Sequence, residues 1–151
     1  MELKLESIGI VKSPVIEGVD NNWGEVKSEI IVDSEFAAGL KGLEEFSHAI
    51  IVYFMHKSSF CIETDLQRRP QGRDDMPIEG IFSQRAKHRP NPIGITSVQI
   101  VSVQDNILRV KGLDAIDGTP VLDIKPYYPV YDMKQEAKTP EWVDVLMKNY
   151  F

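Results

Sequence analysis

The chain has 151 residues, 42% hydrophobic and 26% charged, with 17 basic against 23 acidic side chains and a formal net charge of −6. That length fits one globular domain of about 100–200 residues, the composition excludes disordered and fibrous classes, and the acidic balance excludes broad nonspecific adhesion to nucleic acid, which needs a basic face. No apolar run reaches the ~18 residues of a membrane helix, and Met1-Glu2-Leu3-Lys4-Leu5-Glu6 lacks the basic flank and apolar stretch of a signal peptide. A cytoplasmic protein without a membrane partner is expected. The single cysteine, Cys61, forms no internal disulfide, and three histidines in no metal-ligand spacing predict no metal site.

In chain order, residues 3–11, 25–32 and 48–54 are rich in β-branched or aromatic residues and bounded by Pro, Gly and Asp, which predicts strands. Between the second and third, Phe36, Leu40, Leu43 and Phe46 predict a short helix capped by Ser34 and interrupted by Gly39 and Gly42. Residues 57–80 read as a long irregular connection, the kind that receives substrates. Residues 95–103 and 107–111 are predicted to pair as a hairpin, because Gln104-Asp105-Asn106 supplies residues tolerant of unusual backbone angles. At the C-terminus, Thr139 and Pro140 start a helix as N-cap and first-turn proline. Trp142, Val145, Leu146 and Tyr150 form its apolar face, a core or subunit contact. Strands without regularly intervening helices predict a mostly β single domain, a small barrel or sandwich with a short internal helix and a C-terminal helix, and argue against βαβ alternation.

Two segments follow neither strand nor helix periodicity. In Arg85-Ala86-Lys87-His88-Arg89-Pro90-Asn91-Pro92-Ile93-Gly94, two prolines fix φ and hold Asn91 extended, so a rigid turn carries Arg89 and Asn91. In residues 113–127, Asp114, Asp117 and Asp123 surround an Asp-Gly turn that leads to Lys125 and Tyr127. Between positions 68 and 89, Arg68, Arg69, Arg73, Arg85, Lys87 and Arg89 outnumber Asp74, Asp75 and Glu79, which makes this stretch locally basic in an acidic chain.

Four ordered blocks, Ile8-Gly9-Ile10-Val11-Lys12-Ser13-Pro14, Gly42-Leu43-Glu44-Glu45-Phe46-Ser47-His48, Arg89-Pro90-Asn91-Pro92-Ile93-Gly94 and residues 117–127, resemble the β-barrel tRNA adenine-N6-methyltransferases of the TrmO (TsaA-like) type. The resemblance implies a small barrel unrelated to Rossmann methyltransferases, in agreement with the absence of a Gly-rich strand-to-helix fingerprint. It also implies S-adenosylmethionine as cofactor, with contacts on Lys57, Ser58, Arg85, Ile95, Lys111, Gly112, Leu113 and Asp114. Asp114 then suits the ribose hydroxyls and Arg85 the methionine carboxylate. The family loop over the cofactor, usually Pro-Arg-Gln, is replaced here by Asp20-Asn21-Asn22-Trp23-Gly24.

The activity implied is N6-methylation of threonylcarbamoyladenosine at tRNA position 37, 3′ of the anticodon, by a homodimer without metal. Asn91 and Asp117, with Asp123 behind them, are the candidate acceptors for the adenine amino protons. Arg68, Arg69, Arg73, Lys87 and Arg89 are expected to meet phosphates, and Tyr127, Tyr128 and Trp23 to stack on bases. Two alternatives keep the fold: methylation of another acceptor, or a noncatalytic module that binds S-adenosylmethionine.

Overall fold

The computed structural model describes residues 1–151. Six antiparallel strands close into a barrel: β1 (Gly9–Lys12), β2 (Lys27–Val32), β3 (His48–Phe54), β6 (Ile93–Gln104), β7 (Ile107–Lys111) and β8 (Pro120–Pro126). Around the barrel the order is β1-β2-β7-β6-β3-β8, and β8 pairs back onto β1. Closure gives every barrel strand a neighbour on each side, which limits exposed sheet edge. A two-stranded ribbon, β4 (Gln67–Arg68) with β5 (Glu79–Gly80), stands outside the barrel in the β3–β6 connection.

Alternation builds the interior. Ala49, Ile51 and Tyr53 of β3 face Thr96 and Val98 of β6, Leu108 and Val110 of β7, and Ile30 and Val32 of β2, all buried. The two mouths are plugged differently. Leu40 and Leu43, from 3-10 turns at Ser34–Leu40 and Leu43–Glu45, fill one; Leu113 and Ala115, from the β7–β8 connection, fill the other. Complete burial of a leucine contributes about 2–3 kcal/mol, so Leu113 fixes the path of the chain through Asp114.

Several local expectations are corrected. Residues 3–8 are not strand: β1 begins at Gly9, the first residue with partners on both β2 and β8, and Leu3 and Leu5 are exposed. The expected internal helix is two 3-10 turns, with Asp33 rather than Ser34 preceding the first and Gly42 at φ 89° starting the second. Residues 57–80 are not merely irregular, since α1 (Ile62–Asp65) and the β4–β5 ribbon lie within them. The hairpin forms as expected over β6 and β7, with Asp105 at φ 54° in its two-residue turn. A four-residue α2 (Pro129–Asp132) follows β8. The C-terminal α3 (Glu141–Met147) is preceded by Pro140, so Thr139 is not its cap, and Val145 is exposed while Trp142 and Leu146 are partly covered.

Candidate functional site

Strand direction decides what comes together. Antiparallel pairing brings the C-terminal ends of β1, β3 and β7 and the N-terminal ends of β2, β6 and β8 to the same mouth. The connections β1–β2, β3–β6 and β7–β8 therefore converge there, and with them Lys57, Ser58, Arg85, Arg89, Asn91, Ile95, Gly112, Asp114 and Asp117. Tyr127 does not join them. It follows the far end of β8, where its N–H donates to the His48 carbonyl at 3.1 Å, one strand length of about 20 Å from that mouth. Tyr128 stacks on Phe46 at the same far end, with ring centroids 5.8 Å apart. The expected tyrosine platform is thus at the opposite mouth of its own barrel. Trp23 is on the site side but buried, with its Nε1–H donating to the Val19 carbonyl at 2.9 Å, and has no free face for a base.

The centre of the mouth is the Asp114 carboxylate. Leu113 and Ala115 turn inward, and Asp114 between them is half-buried. Its Oδ1 accepts the Tyr53 hydroxyl at 3.0 Å and the Thr96 hydroxyl; its Oδ2 accepts the Tyr150 hydroxyl at 2.5 Å. Burial and, next, the neighbouring Asp114 charge push both phenols well above the ordinary tyrosine range. Sequence reasoning missed Tyr53, Thr96 and Tyr150. The available signal was Gly94, directly before the predicted strand, because a glycine permits close approach by another group; here that group is the Tyr53 ring.

Arg85 is exposed on the rim and donates from one terminal nitrogen to the Ile95 carbonyl at 2.7 Å, which leaves the rest of its fork toward solvent. Lys57 is exposed, while the Ser58 hydroxyl donates to the Met55 carbonyl at 2.7 Å and closes the turn after β3. The Leu113 side chain is core, so only its backbone can face a ligand, and Lys111 is paired with Glu25 at 2.8 Å. Gly112 adopts φ 91°, a left-handed conformation that favours glycine, and so turns the chain from β7 toward Asp114.

The chain bends at Asn91: the Pro92 carbonyl accepts the Met55 N–H and the Asn91 carbonyl accepts the Ile93 N–H, both at 2.7 Å, and the Asn91 side chain is exposed. Arg89 braces this turn from within, donating to the Gln84 and Ala86 carbonyls at 3.0 and 3.3 Å. Asp117 also has a structural task. Its Oδ1 accepts the Ser13 N–H at 2.9 Å and its own N–H donates to the Val15 carbonyl, which stitches the Asp-Gly turn to the end of β1. Asp123 pairs with Lys125 at 2.6 Å.

Of the expected phosphate contacts, Arg68 pairs with Asp65 at 3.1 Å, Arg73 forms a forked pair with Asp75 at 2.9 and 2.6 Å, and Arg69 donates to the Met76 carbonyl. Gln84 closes the ribbon that carries them by donating to the Arg68 and Glu79 carbonyls at 2.7 and 2.8 Å. Lys87 is exposed. No three His, Cys, Asp or Glu side chains gather closely enough to hold a metal ion.

Fold and mouth together define a closed antiparallel β-barrel, of non-Rossmann type, with a carboxylate fixed by three hydroxyls and an exposed guanidinium at the same mouth. Within that class, residues 19–133 match the family model of the tRNA-methyltransferase O N-terminal domain, and the chain belongs to that family. A probable S-adenosyl-L-methionine-binding protein of Pyrococcus abyssi is 40% identical over 136 residues, 87% of this chain and 71% of the relative. The tRNA (adenine(37)-N6)-methyltransferase of Mus musculus is 38% identical over 128 residues, 85% of this chain but 29% of the relative. The crystal structure of TrmO from Pseudomonas aeruginosa superposes with a TM-score of 0.74 at 28% identity, over 91% of this chain and 61% of that one. The chain thus spans about three-fifths of the solved TrmO chain and less than a third of the mouse enzyme.

Proposed function

We propose that this chain transfers the methyl group of S-adenosylmethionine to N6 of the adenosine 3′ of the anticodon in tRNA, and that the preferred acceptor already carries the threonylcarbamoyl group. The observation that carries the reading is the convergence of Arg85, Asp114 and Asn91 on one barrel mouth in a chain of the tRNA-methyltransferase O family. The donor set suits the cofactor: Asp114 accepts hydrogen bonds from a ribose hydroxyl, and the free part of the Arg85 fork suits a carboxylate. The cofactor, when bound, supplies an electrophilic methyl on sulfur. The chain's own work is then alignment and exclusion of water. Asn91 on its rigid turn supplies a carbonyl that accepts a hydrogen bond from the N6–H and so favours the pyramidal nitrogen; as the methyl leaves sulfur, which becomes a neutral thioether, the N6 proton passes to solvent.

A homodimer is part of the same reading. Phe54, Ile93 and Ile95 form an exposed apolar strip on the outer wall beside the mouth, with Phe54 and Ile93 directly paired across strands. It adds to the C-terminal face expected from sequence, of which Tyr150 bonds within its own chain. Contiguous exposed apolar surface marks association sites, and light scattering distinguishes dimer from monomer.

The deciding experiment is mass spectrometry of nucleosides from tRNA, with and without threonylcarbamoyladenosine, after incubation with protein and labelled S-adenosylmethionine. Gain of one methyl on the modified adenosine alone is expected; no gain on either tRNA overturns the reading. Cofactor binding without turnover would favour the binding-module alternative, to which the name of the similarly sized Methanothermobacter relative, covered over 95% of its length, lends support.

A further inference from the structure

The three hydroxyls on Asp114 differ in how they are held. Tyr53 and Thr96 belong to adjacent barrel strands, and both donate to Oδ1. Tyr150 arrives from the C-terminal segment and alone serves Oδ2. That segment is docked on the β1–β2 connection: the Asn22 and Trp23 N–H groups donate to the Asn149 and Tyr150 carbonyls, each at 2.8 Å. The fit is close, since a Cβ on Gly24 would lie 2.6 Å from the carbonyl carbon of Phe151. Phe151 in turn meets the Tyr150 ring edge-on, with centroids 4.9 Å apart. The phenol therefore reaches Asp114 from a segment anchored by backbone, by packing and by its own hydrogen bond.

We propose that Tyr150 is a positioning residue of the cofactor site: its hydroxyl fixes the Asp114 carboxylate so that one acceptor direction on Oδ2 stays open for a ligand hydroxyl. An ionised carboxylate accepts about four hydrogen bonds. Two on Oδ1 and one on Oδ2 leave one, and its direction is set only while Tyr150 holds the other. Without that phenol the carboxylate retains its two wall contacts on one oxygen but can rotate about them. This inference rests on the reading of the mouth as an S-adenosylmethionine site, and it deepens that reading by placing a C-terminal residue in hydroxyl recognition.

The test is calorimetry on the full chain with S-adenosylmethionine and with its 2′,3′-dideoxy analogue, for the unsubstituted protein, Tyr150→Phe, and protein carrying 3-fluorotyrosine at position 150. The unsubstituted protein is expected to prefer the hydroxylated ligand by about tenfold or more, the value of one hydrogen bond to a charged group. Tyr150→Phe should bring that preference close to one. The fluorinated residue keeps ring and hydroxyl but is a stronger donor, so it should retain a preference and alter its size. A merely structural role would weaken both ligands equally. A preference kept by Tyr150→Phe or, should that variant not fold, left unchanged by fluorotyrosine, overturns the inference and leaves the cofactor reading standing. Absence of a preference in the unsubstituted protein overturns the Asp114–hydroxyl contact and this inference together; failure to bind S-adenosylmethionine at all overturns the reading beneath both.

Discussion

Gly94 and Tyr53 are direct cross-strand partners, and the Tyr53 ring lies on the face of β6 where a side chain at position 94 would stand. A Cβ there would be 2.8 Å from the phenol oxygen and closer still to two ring carbons. The glycine that ends the Pro-Asn-Pro-Ile-Gly turn is therefore a space requirement. It lets the aromatic ring fold across β6 so that its hydroxyl reaches Asp114 at 3.0 Å.

Gly94→Ala should accordingly destabilise the fold by about 1–3 kcal/mol, the usual range for forcing atoms into a filled interior. Urea unfolding measures this. In a Tyr53→Ala background the same substitution should have little effect, because residues in contact are not additive. Equal destabilisation in both backgrounds would mean that the strain comes from somewhere other than the ring.

This pair also shows how far the sequence could be read. The run of β-branched and aromatic residues over 48–54 gives β3 to the residue, because that composition suits a strand packed in a barrel wall. The rigid Arg89–Gly94 turn is equally legible, since proline acts through its own ring. The neighbours of Asp114 are not: Tyr53, Thr96 and Tyr150 are 61, 18 and 36 residues away, and only barrel closure brings them together. Tyr127 fails for the same reason, because proximity in sequence to the Asp117 turn says nothing of the full strand that separates them. Composition revealed the basic balance of residues 68–89, yet it could not reveal that Asp65 and Asp75 had already taken two of its arginines.

The two buried phenols make alkaline pH informative. A folded-state value raised above the unfolded one means that the folded chain holds a proton which the unfolded chain releases. The associated stability is complete below about pH 10, the ordinary tyrosine value, and is lost as pH rises beyond it. Two of the five tyrosines should therefore ionise late in an ultraviolet titration, and unfolding should become easier above about pH 10. Asp114→Asn should bring both phenols only partway back, since burial is the larger cause and the Asp114 charge the second. Simultaneous ordinary titration of all five in the folded protein would contradict the cluster.

Asp117 and Asn91 should separate by readout. Asp117→Ala removes the acceptor of the Ser13 N–H and should lower stability by about 1 kcal/mol. Its turnover per folded molecule should stay near that of the unsubstituted protein, and Asp117→Asn should be milder in stability. Asn91→Ala should do the reverse: the exposed side chain supports no core contact, so melting is unchanged while turnover on tRNA falls, with tRNA affinity nearly retained. A loss of turnover confined to Asp117→Ala would return the proton-accepting role to that carboxylate.

Binding of tRNA should depend on which cations are already occupied. Arg73 holds Asp75 in a two-point pair that raises the guanidinium and lowers the carboxyl from their ordinary values. When Arg73 meets a phosphate it exchanges one anion for another, and the net counterion release is small. Lys87 and Lys57, the latter expected from the resemblance at the cofactor but equally free to meet RNA, are exposed beside the mouth, and each phosphate they neutralise displaces a cation from the RNA. Lys57→Ala and Lys87→Ala should therefore each flatten the log-log salt dependence of binding by about 0.7 for a single-stranded loop, and the double variant by about twice that. Arg73→Ala should change the slope much less. Asp75→Ala, which frees Arg73, should steepen the slope if the ribbon lies along the RNA path. A salt dependence that responds to Arg73 and ignores both lysines would move the phosphate track from the rim of the mouth to the ribbon.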